Sequence, residues 1–315
     1  MPALARKLRS RGVLGLNERN AQYVQRFNPR RLYPLVDDKL QTKRLALDAG
    51  IAVPELYGVI SSQHDVRRFD ELVAGRQDFV VKPAHGSGGD GILVIGGRGK
   101  REAGVFRLVD GEFITAEEMR YHCSNIISGQ YSLGGHRDYA MLESRVRPDP
   151  VFEAVAYRGV PDVRVLTFLG YPTMAMVRLP TRRSRGKANL HQGAVGAGID
   201  LASGQTLNGV LGNDIVLDHP DTGDSIHGIR IPHWDYLLAL AARCYELTGL
   251  GYLGVDIVLD IDRGPLILEL NARPGLNIQI ANQAGLGARL EVILSETQSR
   301  TGDQRVAFSR GAFTG

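Results

Sequence analysis

The sequence is poor in cysteine, with only Cys123 and Cys244 among its 315 residues. The two lie far apart and lack the spacing of metal ligands, so the sequence predicts neither a disulfide framework nor a zinc site. It also lacks an apolar run long enough to cross a bilayer, and no apolar stretch of signal-peptide length follows its basic start. We therefore expect a globular, cytoplasmic protein whose thiols are buried or idle.

A large excess of one charge is absent too, because 38 basic residues are interspersed with 34 acidic ones, for a net charge of +4. The basic residues cluster at positions 6–11, 30–31 and 182–187, and no nucleic-acid motif accompanies them. An enzyme that holds a polyphosphate needs such charge. We therefore predict neither a nucleic-acid partner nor a membrane span.

Local patterns divide the chain into segments. The start predicts a basic helical extension, and DDKLQTKRLALDAG predicts a helix that begins at two aspartates and ends at a glycine. Trp234–Thr248 predicts an amphipathic helix, and the polar, weakly patterned tail is typical of disorder. No internal repeat is present. The predicted division is 1–36, 37–140, 141–295 and 296–315.

The segment LGVDIVLD and the segment PLILELNA predict a hairpin that could hold a metal. A two-residue turn at Asp262 and Arg263 would set Asp256 opposite Glu269, with Cβ atoms about 5 Å apart. Two carboxylates so placed repel each other unless a cation lies between them. Asn271 would point to the same face, and an all-oxygen set suits Mg²⁺. The alternatives are solvated side chains on an open face and a register that slips by one residue.

A lysine strand and a glycine-rich turn form the second pattern. FVVKP carries Lys82 and is followed by His85–Gly91, in which four of seven residues are glycine. An ammonium group and several backbone N–H groups near one point can hold a polyphosphate. The pattern is not a P-loop, because the lysine precedes the glycines. The alternative is a hairpin turn beside a surface lysine.

In this order the motifs resemble the ATP-grasp superfamily, and within it the RimK-type glutamate ligases, from about Asp37 to Leu290. The resemblance implies an α+β fold of two subdomains that sandwich the nucleotide. Only some 36 residues precede the first motif, where the family usually carries a Rossmann-like domain, and residues 97–140 are longer than in RimK-type proteins. We therefore expect a short helical extension in place of the usual domain.

The resemblance assigns a nucleotide site by matched motifs. DDKLQTKRLALDAGIAVP matches the Asp-Lys helix, FVVKPAHGSGGDGI the lysine strand and its loop, and MLESRV the strand against which adenine stacks. VPDVRVLTF matches the strand whose acid holds the ribose, and KANLHQGA matches a Ser-Asn-Leu-His-Arg-Gly segment. The implied ATP-binding residues are Lys39, Lys82, His85, Gly86, Ser87, Gly88, Gly89, Glu143, Val146, Asp162, Lys187 and Asn189.

The same resemblance implies catalytic and metal-binding residues. AMVRLPT places Arg178 near the transferred phosphoryl group, with Lys82 as a second catalytic cation. In NARPG, Arg273 stands where these ligases commonly carry serine. Its alternative role is a salt bridge to a neighbouring acid. The strands GVDIVL and LELNARPG imply Asp256, Glu269 and Asn271 as ligands of Mg²⁺, or of Mn²⁺ in its place.

The resemblance implies a carboxylate–amine ligase that forms an amide or peptide bond through an acyl phosphate and releases ADP and phosphate. Its substrates would be ATP, a carboxylate such as glutamate and an amine on an amino acid, peptide or small molecule, and a homo-oligomer is compatible with it. One alternative is a phosphotransferase or sugar-transfer-associated enzyme that phosphorylates a hydroxyl. Another is a protein that binds ATP without turnover, against which the full set of lysines and carboxylates argues.

Overall fold

The computed structural model describes residues 2–86, 88–99 and 104–313. They pack into two compact units. The larger unit consists of Met1–Asp37, Arg44–Ala52 and Arg147–Gly315, and the smaller unit of Asp38–Lys43 and Val53–Val146. Within the described ranges, every helix is too short or too polar to cross a membrane.

The predicted helical extension is present at the start of the chain. A π-helical stretch at Arg19–Val24 and a 3-10 turn at Arg30–Leu32 interrupt it. Its α-helices are α1 (Pro2–Ser10), α2 (Leu16–Glu18), α3 (Gln25–Phe27) and α4 (Pro34–Asp37). The helix α5 (Lys39–Asp48) follows. Asp38 begins α5 as predicted, since its carboxylate accepts from the backbone N–H of Leu40 at 2.8 Å.

The smaller unit contains a six-stranded antiparallel sheet in the order β1-β6-β2-β3-β4-β5. Its core includes the phenyl rings of Phe69, Phe79 and Phe106, which are fully buried and meet edge to face. The strands are β1 (Leu56–Ile60), β2 (Phe79–Pro83), β3 (Leu93–Arg98), β4 (Val105–Leu108), β5 (Phe113–Thr115) and β6 (Ala140–Glu143). The helices are α6 (Gln63–Val66), α7 (Phe69–Leu72) and α8 (Ala116–Ile127).

The larger unit contains a seven-stranded antiparallel sheet in the order β11-β10-β9-β8-β7-β12-β13. The predicted helix at 234–248 is confirmed, and it packs on β7, β8 and β12. The strands are β7 (Asp162–Phe168), β8 (Tyr171–Leu179), β9 (Val195–Ile199), β10 (Thr206–Leu211), β11 (Asp214–Val216), β12 (Tyr252–Asp260) and β13 (Gly264–Asn271). The helices are α9 (Trp234–Thr248), α10 (Asn277–Ala281), α11 (Leu286–Leu294) and α12 (Gly302–Ala312).

Two segments differ from the predicted division. The predicted division begins the second subdomain at 141, but residues 141–143 belong to β6, which pairs with β1 and β2 in the sheet of the smaller unit. The tail from 296 onward was expected to be disordered, but residues 302–312 form a helix that buries Arg305 and Val306. A capping box of Thr301 and Gln304 begins that helix and is visible in the sequence.

A buried amide of the extension binds the sheet of the larger unit. The Nδ2 group of Asn28 donates to the carbonyls of Tyr252 and Ala272 at 2.7 and 2.8 Å. Its Oδ1 atom accepts from the backbone N–H of Tyr252 at 2.8 Å. Asn28 is 1% exposed, so water cannot take over the hydrogen bonds that its amide makes to these backbone groups. It joins the start of β12 to the chain just after β13.

We predict that Asn28→Ala lowers the free energy of unfolding by roughly 3 kcal/mol, because it leaves three buried backbone groups unpaired. Denaturant unfolding followed by circular dichroism measures the change. The control is Asn17→Ala, an exposed amide in the same extension, which should change stability by less than about 0.5 kcal/mol. Equal stabilities of the two variants would contradict this role of Asn28.

Candidate functional site

Lys39 lies against the start of the glycine-rich loop. As the first residue of α5, it donates its backbone N–H to the carbonyl of Ala84 at 3.2 Å. Its Nζ group donates to the carbonyl of Gly86 at 2.5 Å. The side chain is half-buried and its hydrogen bonds go to backbone carbonyls, so its charge is not neutralised there. It is therefore a cation beside the loop.

Lys82 is buried and paired, in contrast to the surface lysine of the alternative interpretation. Its Nζ group forms an ion pair with Oε1 of Glu143, and Lys43 lies 3.0 Å from Oε2 of the same carboxylate. Burial alone would raise the pKa of Glu143, but the charges of Lys82 and Lys43 outweigh it and lower that pKa. The predicted adenine contact of Glu143 stays a prediction, as does that of Val146. Sequence analysis missed Lys43, although it lies one helical turn after Lys39.

The glycine-rich loop begins at a histidine held by a buried acid. Asp138 is 2% exposed and accepts from the backbone N–H of His85, and one of its oxygens lies 2.7 Å from Nδ1 of His85. Nε2 of His85 lies 3.7 Å from Asp38. The glycines at 88, 89 and 91 have φ values of 66°, 79° and 74°, which explains why the loop needs glycine. Ser87 lies outside the described residues.

A second histidine anchors the far end of this loop. Nε2 of His122 lies 2.9 Å from the carbonyl of Gly91, and the ring of Tyr131 packs against the imidazole with centroids 5.3 Å apart. Burial lowers the pKa of His122 below its ordinary value of 6.5, although the Gly91 carbonyl opposes this shift. A neutral imidazole that donates from Nε2 therefore holds the loop.

The hairpin of β12 and β13 confirms the predicted pairing of Asp256 with Glu269, but the path to it differs. Asp260 pairs with Gly264, so the turn has three residues instead of two. A β-bulge next to Asp256 shifts the register by one residue and restores the predicted pair. Asn271 shares the face, as predicted, because its Nδ2 group donates to Asp256 at 3.2 Å.

Two arginines join these residues on the same face. Arg164 binds Asp256 with two parallel hydrogen bonds of 2.7 and 2.6 Å. Arg178 binds Asp162 in the same manner at 2.5 and 2.6 Å, and also donates to Asp256 at 2.8 Å. We call Asp162, Arg164, Arg178 and Asp256 the ionic cluster. Sequence analysis missed Arg164, whose signal is its place two residues after Asp162 on one strand face.

Burial and pairing act in opposite directions on this cluster. Burial would raise the pKa of Asp256, but Arg164 and Arg178 hold it below its ordinary value. Burial raises the pKa of Asp162, and the neighbouring carboxylate of Asp256 adds to this shift. The charge of Arg178 opposes the shift but does not outweigh it. Arg178 stays charged, because Asp162 and Asp256 raise its pKa despite burial. The ribose contact expected of Asp162 stays a prediction, since Arg178 takes both of its oxygens.

The residues expected to bind Mg²⁺ offer it oxygen atoms of the right kind. Glu269 is half-buried, and its carboxylate has no hydrogen bond or ion pair to any other described residue. Asn271 donates through its nitrogen, so its Oδ1 atom stays available. Asp256 is occupied by guanidinium groups, which limits what it can give to a cation. The donor set fits Mg²⁺ through Glu269 and Asn271 foremost, and the described residues hold no cluster of three His, Cys, Asp or Glu side chains arranged for a metal.

Three further predicted residues of the larger unit lie outside the β-strands. Arg273 is exposed and lies over the ring of Tyr33, 5.2 Å from its centroid. Its catalytic role stays a prediction. Asn189 accepts from the backbone N–H of His191 and begins the 3-10 turn Leu190–Gln192. Lys187 is half-buried in the loop before it. The nucleotide roles of Lys187 and Asn189 stay predictions.

Cys123 and Cys244 are buried as predicted, and burial raises the pKa of both thiols to about 12.

Comparison with known families identifies the class of protein. The family model of sugar-transfer associated ATP-grasp proteins matches residues 18–295, which is most of the chain. The chain therefore belongs to this family, and both the predicted ATP-grasp superfamily and the α+β fold with two antiparallel sheets are confirmed. No protein with a curated function matches the sequence.

Comparison with solved structures gives matches at low sequence identity. The ATP-grasp ligase PsnB with its minimal precursor is 17% identical at a TM-score of 0.46, and the match covers 86% of this chain and 63% of PsnB. D-alanine–D-alanine ligase from Bacillus anthracis with ATP is 13% identical at 0.46, with 89% and 68% covered. A RimK domain ATP-grasp protein from Sphaerobacter thermophilus is 16% identical at 0.43, with 84% and 69% covered.

We predict that His122 contributes a loss of stability as the pH falls below about 6.5, because its pKa is lower in the folded than in the unfolded chain. The unfolded chain then binds more protons, so the stabilisation is complete above pH 6.5 and is lost on acidification. His219 contributes with the same sign, since burial lowers its pKa too. Urea unfolding between about pH 7.5 and about pH 5.5 measures the slope.

The variant His122→Asn should reduce this slope, since it removes one of the two histidines. The control is His227→Asn, which changes an exposed imidazole and should leave the slope as in the unmodified protein. An unchanged slope in His122→Asn would show that the imidazole is not held neutral.

Proposed function

We propose that the protein is an ATP-dependent carboxylate–amine ligase that phosphorylates a carboxylate and then joins it to an amine. The observation that carries the proposal is the face of the larger sheet on which Arg178, Asp256 and Glu269 lie together. In such a reaction bound Mg·ATP supplies the phosphoryl group and the charge that stabilises its transfer. The acyl carbon then accepts the amine, and phosphate leaves with the former carboxylate oxygen.

The charged residues of the chain support this reaction by their placement. Arg178 is rigid, because two carboxylates fix its guanidinium, so it needs no reorganisation to stabilise developing negative charge. Glu269 and Asn271 would hold the metal ion, and Lys39 would contact the polyphosphate next to the loop. The products should be ADP and phosphate, because an adenylating ligase would release AMP and pyrophosphate instead.

The second candidate is phosphoryl transfer to a hydroxyl group, and the family description favours it by its association with sugar transfer. The two reactions differ in product. Incubation with ATP, Mg²⁺ and pools of acids and amines, followed by mass analysis, would reveal an amide in the first case and a phosphate ester in the second. Hydroxylamine added with the correct acid would trap the acyl phosphate as a hydroxamate. AMP as the main nucleotide product would overturn both.

We predict that Lys39→Ala weakens ATP binding by about tenfold or more, because a charge-assisted phosphate contact is lost. The fold should remain, since the Lys39 side chain leaves only two backbone carbonyls behind. Lys82→Ala would be a less specific test of nucleotide binding, because it also removes a partner of the buried Glu143 carboxylate. Calorimetric titration with Mg·ATP measures the affinity.

The control for Lys39→Ala is Arg44→Gln, which removes an exposed cation from the same helix. It should bind ATP with the affinity of the unmodified protein. An unchanged dissociation constant in folded Lys39→Ala would remove Lys39 from the nucleotide site.

We predict that Glu269→Gln suppresses turnover by roughly 100-fold or more, since even residues that only orient metal ligands contribute about 10- to 100-fold. Stability should be unchanged or slightly higher, because no ion pair is lost among the described residues and one of three neighbouring carboxylates disappears. Arg178→Ala would not separate these effects, since it leaves Asp162 buried without its guanidinium. ADP release and thermal unfolding are the two measurements.

Glu18→Gln is the control, because it removes an exposed carboxylate from the same unit. It should leave both turnover and stability unchanged. Turnover of Glu269→Gln at the rate of the unmodified protein would refute the metal role.

A further inference from the structure

A polar cavity of about 260 Å³ lies in the larger unit beside α10. Four polar side chains converge on it, from the basic loop, the 3-10 turn, the β10–β11 turn and α10: Arg183, His191, Asn213 and Asn277. None of the four side chains has a hydrogen-bond or ion-pair partner among the described residues. None of the described residues that line the cavity is acidic. The lining therefore offers donors and one permanent cation.

The cavity opens on the same sheet face as the ionic cluster. Asp162 pairs with Arg178, Arg178 with Gly196, and Gly196 with Val210, so the four form one row across β7, β8, β9 and β10. Side chains directly opposed in antiparallel strands point to the same face. Val210 lines the cavity, and two strand spacings put its Cα about 10 Å from that of Arg178.

Two glycines make room for the cavity walls. A Cβ atom at Gly196 would lie 2.5 Å from Leu190 and 3.7 Å from Ala281, so its absence lets the 3-10 turn and α10 approach the strand. A Cβ atom at Gly193 would lie 2.7 Å from the Cδ atom of Arg183. The stem of Arg183 thus lies across the backbone of Gly193, which directs the guanidinium to the cavity and restricts its motion.

We propose that this cavity binds a carboxylate group of the substrate, through Arg183 with help from the amides of Asn213 and Asn277. Pockets for drug-sized ligands are about 300–1,000 Å³, so this smaller one suits a molecule of amino-acid size. One guanidinium balances the single charge of a carboxylate, whereas a phosphate monoester carries nearly two negative charges. The inference rests on the proposed ligase function, because it assigns that enzyme an acidic substrate whose recognised carboxylate is distinct from the reacting group.

The test is equilibrium binding without nucleotide, so that it does not depend on ATP binding or turnover. L-glutamate is the probe for a small acid, a tripeptide that ends in glutamate the probe for a peptide terminus, and inorganic phosphate the competing anion. Arg183→Gln should weaken binding of the carboxylate probe at least about tenfold. Arg185→Gln is the matched control, an exposed arginine of the same loop that does not line the cavity.

Selective loss in Arg183→Gln supports the proposal, and the probe that binds more tightly tells a free small acid from a peptide end. Equal binding by the unmodified protein and Arg183→Gln overturns it, as does failure of every carboxylate to bind. Phosphate binding that alone depends on Arg183 would assign the cavity to a phosphate instead. ATP binding is measured in parallel: if it persists while carboxylates do not bind, the subsite fails and the ligase proposal stands. If ATP binding fails as well, the proposed function is what has failed.

Discussion

The buried ionic cluster is the constraint on which the larger sheet depends. Asp256 is 2% exposed and Asp162 is 5% exposed, and a carboxylate so buried is tolerated only when guanidinium groups lie against it. Those groups come from β7 and β8, so three strands must keep one register. A slip of one residue would turn the charges to the opposite face. The register that satisfies the charges also sets Glu269 and Asn271 beside Asp256.

The hairpin shows what local sequence patterns can and cannot predict. The pairing of Asp256 with Glu269 followed from a turn of two residues, but the turn has three and a bulge beside Asp256 compensates. On its other edge β12 is bonded to β7, where Asp256 pairs with Arg164. That long-range contact leaves no trace in the hairpin sequence.

Other differences arise from contacts between residues distant in sequence. Motif order was enough to predict the fold class and the loop after Lys82, because those signals are local. The pairing of Lys82 with Glu143 depends on β2 lying next to β6, although roughly 60 residues lie between the two side chains in the sequence. The α12 helix is a different case, since its capping box at Thr301 was present in the sequence and weak periodicity concealed it.

The charges beside the glycine-rich loop and those on the face of the larger sheet have different partners. In the smaller unit, Lys43 and Lys82 pair with Glu143, and Asp38 and Asp138 lie against His85. The Nζ group of Lys39 binds backbone carbonyls, so its positive charge stays beside a loop of backbone N–H groups. In the larger unit, Arg164 and Arg178 face three carboxylates of the same sheet face, Asp162, Asp256 and Glu269, which leaves negative charge. An unsatisfied positive cluster favours an anion, and an unsatisfied carboxylate favours a cation. Under the proposed function, Lys39 would therefore face a phosphate group and Glu269 the metal ion.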